Sequence, residues 1–226
     1  MRQGLGTAIL FFSRSYVIDA KAKILLKGKG RSKNAQMTKA LATRALQSAR
    51  QSGLPVYQID EQQQVGDNFG ERISNAFQTV FSKGYDAVIC IGNDAASLDH
   101  VNWNRLSRSL SNGENIIGPD FRSGAYLIGL THQSFKKGQF QSLRWQTKHL
   151  ISDLKDFCQV FCELEQVGDI NDWTDLRLIS RSIASIRRLL ASICHSDFIT
   201  DLRILFFCFD CQVNVGLRAP PKALSI

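Results

Sequence analysis

The sequence predicts an α/β fold: a mostly parallel sheet sandwiched by helices, with an extension at the C-terminal end. Three observations predict it. Thr7–Phe12, Ala87–Ile91 and Asn115–Ile117 are short apolar runs of the kind found in strands buried on both faces. Between them, apolar residues recur at a spacing of four, which puts them on one side of a helix. Turn formers such as Gly92-Asn93 and Gly118-Pro119 close the apolar runs. Strands and helices alternating in this way need right-handed crossovers, and these bring the strand C-termini to one edge.

Thr7–Phe12 is the first strand, and the basic, glycine-bearing stretch that runs to Lys33 is expected to be a loop. Met37, Leu41, Ala45 and Ala49 mark a helix closed by Gly53, and Val56–Ile59 is the second strand. Phe69, Ile73, Phe77 and Phe81 form the next helical stripe, with Asp67 or Asn68 as N-cap and Gly84 as C-cap. Ala87–Ile91 follows, then a helix carrying Trp103, Leu106 and Leu110, for which Asp99 is the expected cap. Asn115–Ile117 and Tyr126–Leu130 are two further apolar runs around a Gly118–Gly124 loop. After Leu178 the character changes. Ile183, Ile186, Leu190 and Ile193 predict a helix with Arg181, Arg187 and Arg188 on its other side, and an aromatic-rich stretch, Phe198–Val215, follows. This divides the chain into a domain over residues 1–178 and an extension over 179–226 that packs on it.

The chain has 226 residues, enough for one domain with a sizeable core. Its 44% hydrophobic and 21% charged residues are ordinary for a globular protein. No apolar run reaches the roughly 18 residues of a membrane span, and no signal peptide is read, so a cytoplasmic location is expected. The six cysteines lie mostly in apolar runs and read as small buried hydrophobes. A zinc site from Cys158, Cys162, Cys208 and Cys211 lacks the glycine-rich knuckle context. The net charge of +8 raises a nucleic-acid reading, but no aromatic interleaves the lysines of the stretch Lys21–Lys33 and no nucleic-acid motif accompanies them. Backbone amides near Gly28 and Gly30, with Lys27, Lys29 and Arg31, could cradle phosphates instead. A solvated basic loop is the alternative.

Asp94, at the end of the Ala87–Ile91 strand, is the leading candidate for chemistry. A strand-end carboxylate can hold Mg²⁺ or Mn²⁺ against nucleotide phosphates, or simply cap the helix that follows. Hydrolase, zincin and dinucleotide-binding signatures are absent from the sequence.

Five motifs occur in order: Gly66-Asp-x-Phe-Gly-Glu-Arg72, Ile91-Gly-Asn-Asp94-x-x-Ser-Leu98, Gly118-Pro…Gly124-x-Tyr-Leu-Ile-Gly129, Trp145-Gln-Thr147 and Asp169-Ile-Asn-Asp-Trp-Thr-Asp-Leu176. Over roughly residues 7–178 this order resembles the bacterial radical-SAM/selenodomain-associated transferases, a glycosyltransferase-like family of unknown function. The resemblance implies a GT-A, nucleotide-diphospho-sugar transferase-like fold, a nucleotide or nucleotide-sugar ligand and a small-molecule acceptor. It implies catalytic Asp94 and Asp169, with a divalent ion on Asp94 and on Asn171, where the family pattern has a second acid. Weak metal binding is expected from that neutral residue. Glu71 and Arg72 match G-E-R and either line the site or brace the basic loop. Gly118, Arg122 and Gly124 fall in the glycine loop, where Arg122 replaces an acid and becomes a phosphate contact. Trp145 and Thr147 match W-S-T and are assigned to the acceptor side, with His149 nearby as a proton acceptor.

The reading is thus a metal-dependent glycosyl- or nucleotidyltransferase using a nucleotide-diphospho-sugar or nucleoside triphosphate. The alternatives are a degenerate nucleotide or phosphometabolite binder and, below it, a basic nucleic-acid-binding protein.

Overall fold

A computed structural model describes residues 4–194. Six strands form one sheet in the order β2-β1-β3-β5-β4-β6: β1 (Thr7–Phe12), β2 (Val56–Ile59), β3 (Ala87–Ile91), β4 (Asn115–Pro119), β5 (Ala125–Thr131) and β6 (Phe161–Glu163). β1 pairs in parallel with β2 and β3, and β4 with β6. β5 alone runs against its neighbours, antiparallel to β3 and β4. The expected mostly parallel sheet is present, but β4 runs on through Gly118 and Pro119, so the turn of the β4–β5 hairpin is residues 120–124 rather than the expected Gly118–Gly124.

Alternation along the strands decides the layers. Ala8, Leu10 and Phe12 of β1, with Val88 and Cys90 of β3, face α3 (Phe69–Phe81), α5 (Lys137–Gln141) and α6 (Leu150–Cys158). Ile9 and Phe11, with Ile89 and Ile91, face α2 (Gly30–Gln51) and α4 (Trp103–Ser111). Phe77, fully buried, packs its ring against Phe81, Phe135 and Phe140. Such aromatic pairs add roughly 0.5–1.5 kcal/mol each beyond area burial. A third apolar cluster sits beyond the sheet. There Leu25, Leu26, Met37 and Leu41 meet Leu176 of α7 (Trp173–Ser182) and Ile186 and Leu190 of α8 (Ala184–Cys194).

Several local expectations are corrected. The stretch to Lys33 is not one loop: α1 (Tyr16–Ala22) forms inside it, and α2 already begins at Gly30. Asn102, not Asp99, caps α4, accepting from the Arg105 N–H, because Leu98–His100 forms a 3-10 turn of its own. Asp99 instead pairs with Arg44. Asn68 caps α3 and Ser82, rather than Gly84, is its C-cap, while Gly53, with φ of 74°, closes α2 just past Ser52 as expected. Ile183 and Arg181 precede α8: Arg181 belongs to α7 and Ile183 is its C-cap. Residue 178 lies within α7, so α7 spans the expected boundary at 178/179. Phe198–Val215, Cys208 and Cys211 lie outside the described residues, while Cys90, Cys158, Cys162 and Cys194 are free thiols. Among the described residues no helix is long and apolar enough to cross a membrane.

Candidate functional site

The site is built where β3 and β4 end. Beyond β3 the chain turns at Gly92-Asn93 and presents Asp94. Its carbonyl accepts from the Ile170 N–H at 3.0 Å, and Ala95 bridges to Asp169 in antiparallel fashion. Beyond β4, Asp120 bridges to Val167. One short segment, residues 167–170, thereby ties both strand ends together, and three carboxyls from distant stretches converge: Asp94, Asp120 and Asp169.

Asp120 is buried and organises the hairpin turn. Its Oδ1 accepts from the Arg122 N–H at 2.6 Å and the Gly124 N–H at 2.7 Å. Ser123 between them has φ of 66°, a left-handed conformation uncommon for a residue with a side chain. Gly124 is needed for space, since a Cβ there would lie 2.3 Å from Asp120 Oδ2.

Lys23 faces the carboxyls from the other side. It caps α1, and its Nζ lies 2.8 Å from Asp94 Oδ2 and 3.6 Å from Asp19 Oδ2, one turn back on the same helix. Asp19 also holds Arg14 at 2.8 Å and accepts from the Asn93 amide at 3.1 Å. Asn34, buried in the second turn of α2, fixes the connection. Its oxygen accepts from the Leu25 and Leu26 N–H groups, and its amide donates to the Ala20 and Lys23 carbonyls. The Lys23 pKa is raised: burial opposes the charge, but Asp94, Asp19 and Asp169 outweigh it.

Asp169 is the most perturbed acid. Its pKa is raised from an ordinary 3.8 to about 8, first by burial, then by the charges of Asp94 and Asp120. As a carboxylate its Oδ1 is buried and accepts from no donor. Once protonated, Asp169 can hydrogen-bond Asp120, which also favours the neutral form.

A cleft of about 500 Å³ opens between the hairpin and α7. Asp120, Arg122 and Asp169 supply its polar lining, and Phe121, Leu178 and Ile179 its apolar wall. A second hollow of about 300 Å³, on the side of Lys148, Glu163 and Gln166, also reaches Asp120. A larger open groove of about 800 Å³ between α2 and α8 contains none of the three carboxyls.

The remaining expected residues are placed otherwise. Arg122 pairs with Asp175 at 2.6 Å and Asp172 at 3.5 Å. Asp172 is the N-cap of α7, accepting from the Thr174 and Asp175 N–H groups, and Asp175 accepts from the Asn171 N–H. Glu71 accepts from the Asp67 N–H and the Asn68 amide, so it closes the start of α3. Lys27, Lys29, Arg31 and Arg72 form no ion pair with any described residue. Trp145 donates to the Phe140 carbonyl and packs between Phe69 and Phe140, while Thr147 donates to the Arg144 carbonyl. None of Glu71, Arg72, Trp145 or Thr147 bonds to Asp94, Asp120 or Asp169. Gly70 lies under this loop, where a Cβ would fall 2.2 Å from the Gln141 carbonyl oxygen. Lys23, Asp120 and Asn34 were not singled out by sequence. Asp120 alone carried a signal, a carboxylate immediately after a strand's Gly-Pro.

A family described as "Uncharacterized protein conserved in bacteria" (DUF2064) matches residues 26–147. No curated protein matches the chain. In fold the chain is similar to the crystal structure of a "putative nucleotide-diphospho-sugar transferase" from Desulfovibrio desulfuricans G20. That match has 22% identity and a TM-score of 0.55, over 78% of this chain and 87% of that one. Rv0371c from Mycobacterium tuberculosis H37Rv aligns at 13% identity and TM-score 0.46, over 78% of this chain and 98% of that one. Its homolog from Mycobacterium sp. strain JC1 aligns at 14% and 0.41, over 81% and 98%.

Proposed function

The chain belongs to this uncharacterized bacterial family, and on that premise we propose that it is a transferase-like protein binding a nucleotide-diphospho-sugar or nucleoside triphosphate at the strand-end cleft. One observation carries the reading. Asp94 and Asp120, where β3 and β4 end, both act on the buried Asp169 from separate stretches of chain, and Lys23 is paired to Asp94. Ligands of open α/β sheets bind at such an edge. Gathering three carboxyls in a partly buried place costs desolvation that packing does not require, and perturbed acids of this kind cluster at functional sites.

In this reading the donor's phosphates lie against Lys23 and the acceptor enters the cleft along Phe121 and Leu178. The acceptor oxygen attacks the sugar carbon, the bond from that carbon to the diphosphate oxygen breaks, and the leaving phosphate takes the electron pair. Asp169 takes the acceptor's proton in its ionised form, which grows as pH approaches 8. An acid whose pKa lies near 8 is suited to exchange protons close to neutral pH.

The Mg²⁺ or Mn²⁺ implied by the resemblance was to sit on Asp94 and Asn171, and the residues present do not fit it as they stand. Lys23 already holds Asp94, and the Asn171 N–H is turned to Asp175 while Asp172 caps a helix. Among the described residues no three acids, histidines or cysteines are grouped so as to hold an ion. The bare Oδ1 of Asp169 offers one ligand, whereas such ions take about six. A nucleotide binder without turnover is the second reading, favoured by Arg122, whose guanidinium is engaged by Asp175.

Thermal denaturation with a panel of nucleotides and nucleotide-sugars tests the proposal. A ligand at a hundred times its dissociation constant stabilises by about 2.7 kcal/mol, or roughly 5–10 °C in a chain of this size. Absence of a shift with every member at millimolar concentration would sink it. A shift without transfer to any acceptor, including water, would leave the binder.

A further inference from the structure

We propose that Lys23 is the resident cation of this cleft, its ammonium standing where a divalent ion stands in metal-dependent sites, so that donor phosphate binds without metal. The inference rests on the phosphate-bearing donor proposed above and adds to it how the charge of that donor is met.

Lys23 differs from an ordinary surface lysine. Its side chain is only 13% exposed, and its Nζ contacts two carboxylates on different elements, Asp94 at 2.8 Å and Asp19 at 3.6 Å. Burying an ammonium is costly unless it is paired, and here the pairing is arranged by the fold. Asp19 lies one helical turn before Lys23, and Asn34 holds the Lys23 carbonyl and the two amides at Leu25 and Leu26. The position of the ammonium is thus set by α1 and α2 and does not depend on a ligand.

The charges balance on these terms. Arg14 and Lys23 stand against Asp19 and Asp94, two cations for two carboxylates. A divalent ion on Asp94 would have to displace Lys23 or lie within a few ångströms of it, where like charges repel strongly. Lysine and metal therefore exclude one another. An ammonium has three N–H donors. Asp94 engages one, Asp19 stands at ion-pair distance, and an N–H remains for a phosphate oxygen. Lysine serves phosphates as a point charge of this kind.

The test uses Mn²⁺ and inorganic pyrophosphate on the intact protein. Parent and Lys23→Met are titrated with Mn²⁺ and the free ion is read by electron paramagnetic resonance. Pyrophosphate-induced thermal shifts are measured in EDTA and in Mn²⁺. The expected result is no Mn²⁺ binding by the parent below 1 mM on the order of protein-site affinities, and at least about tenfold tighter binding by Lys23→Met, which bares Asp94. Pyrophosphate should shift the parent equally in both buffers, and the shift should vanish in Lys23→Met and persist in Lys23→Arg. Lys23→Gln takes the place of Lys23→Met if the latter fails to fold. Submillimolar Mn²⁺ binding by the parent overturns the proposal. So does a pyrophosphate shift that needs Mn²⁺, that is missing in both buffers, or that survives in Lys23→Met. Failure of every nucleotide in the panel would sink the transferase reading separately, because the Mn²⁺ titration needs no nucleotide.

Discussion

Replacing Asp169 by Asn should stabilise the protein, and increasingly so as pH rises. Asp169 is an acid whose pKa is raised in the fold, from 3.8 to about 8. The folded state therefore holds a proton that the unfolded chain releases. The stability tied to that proton is fully present below about 3.8 and is withdrawn as pH rises towards 8. At 1.36 kcal/mol per pH unit, the three units from pH 5 to pH 8 amount to about 4 kcal/mol. Water and neighbouring groups relax around the charge as Asp169 ionises, so about half, roughly 2 kcal/mol, is expected to appear. Asn has nearly the shape of Asp, carries no charge, and its amide can donate to Asp120. Urea unfolding of parent and Asp169→Asn at pH 5 and pH 8 reads the difference directly. The advantage of the variant should grow by roughly 2 kcal/mol between the two, or roughly 4–8 °C in Tm. An advantage that is equal at both pH values would refute the argument, since Asp169 would then be charged in the fold throughout.

Two further predictions concern the frame of the site. Asn34→Ala leaves two buried N–H groups and two carbonyls without partners and should cost roughly 2–4 kcal/mol by chemical denaturation. Because Asn34 fixes Lys23, the pyrophosphate shift of the folded variant should shrink as well. Gly70→Ala forces a Cβ to within 2.2 Å of the Gln141 carbonyl, so the loop bearing Trp145 must move. A loss of roughly 1–3 kcal/mol is expected, with altered Trp145 fluorescence, and an unchanged midpoint would show that the loop yields freely.

Strand runs and helix stripes were legible because they follow from burial alone. Ala8–Phe12 and Ala87–Ile91 are apolar at every position, and the strand bounds Thr7–Phe12 and Ala87–Ile91 agree with the sequence reading. α1 was hidden because Tyr16–Ala22 is short, carries exposed Val17 and Ile18, and buries Asp19 in place of an apolar residue. The antiparallel sense of β5 was equally hidden, since an apolar run has no direction. At the site, Asp94 and Asp169 stood out by motif. Their relation to Lys23 did not, because a lysine in a basic stretch looks like any other until the helix is known that aims it. Asp172 and Asp175 illustrate the converse: acids in a motif-bearing segment that the fold uses for a helix start and for holding Arg122.

The reversed direction of β5 divides the sheet into two blocks joined along one seam. Its hairpin with β4 closes across a five-residue turn, whereas its pairing with β3 joins Ile91 to Leu127, tens of residues apart. By the logarithmic cost of loop closure the second contact is dearer by about 2 kcal/mol, so the hairpin can form early with the Asp120 turn already shaped. Asp94 then arrives with the β2-β1-β3 block and Asp120 with the other. The carboxyl cluster exists only once the seam has closed, and any ligand that touches both aspartates acts as a clasp across it.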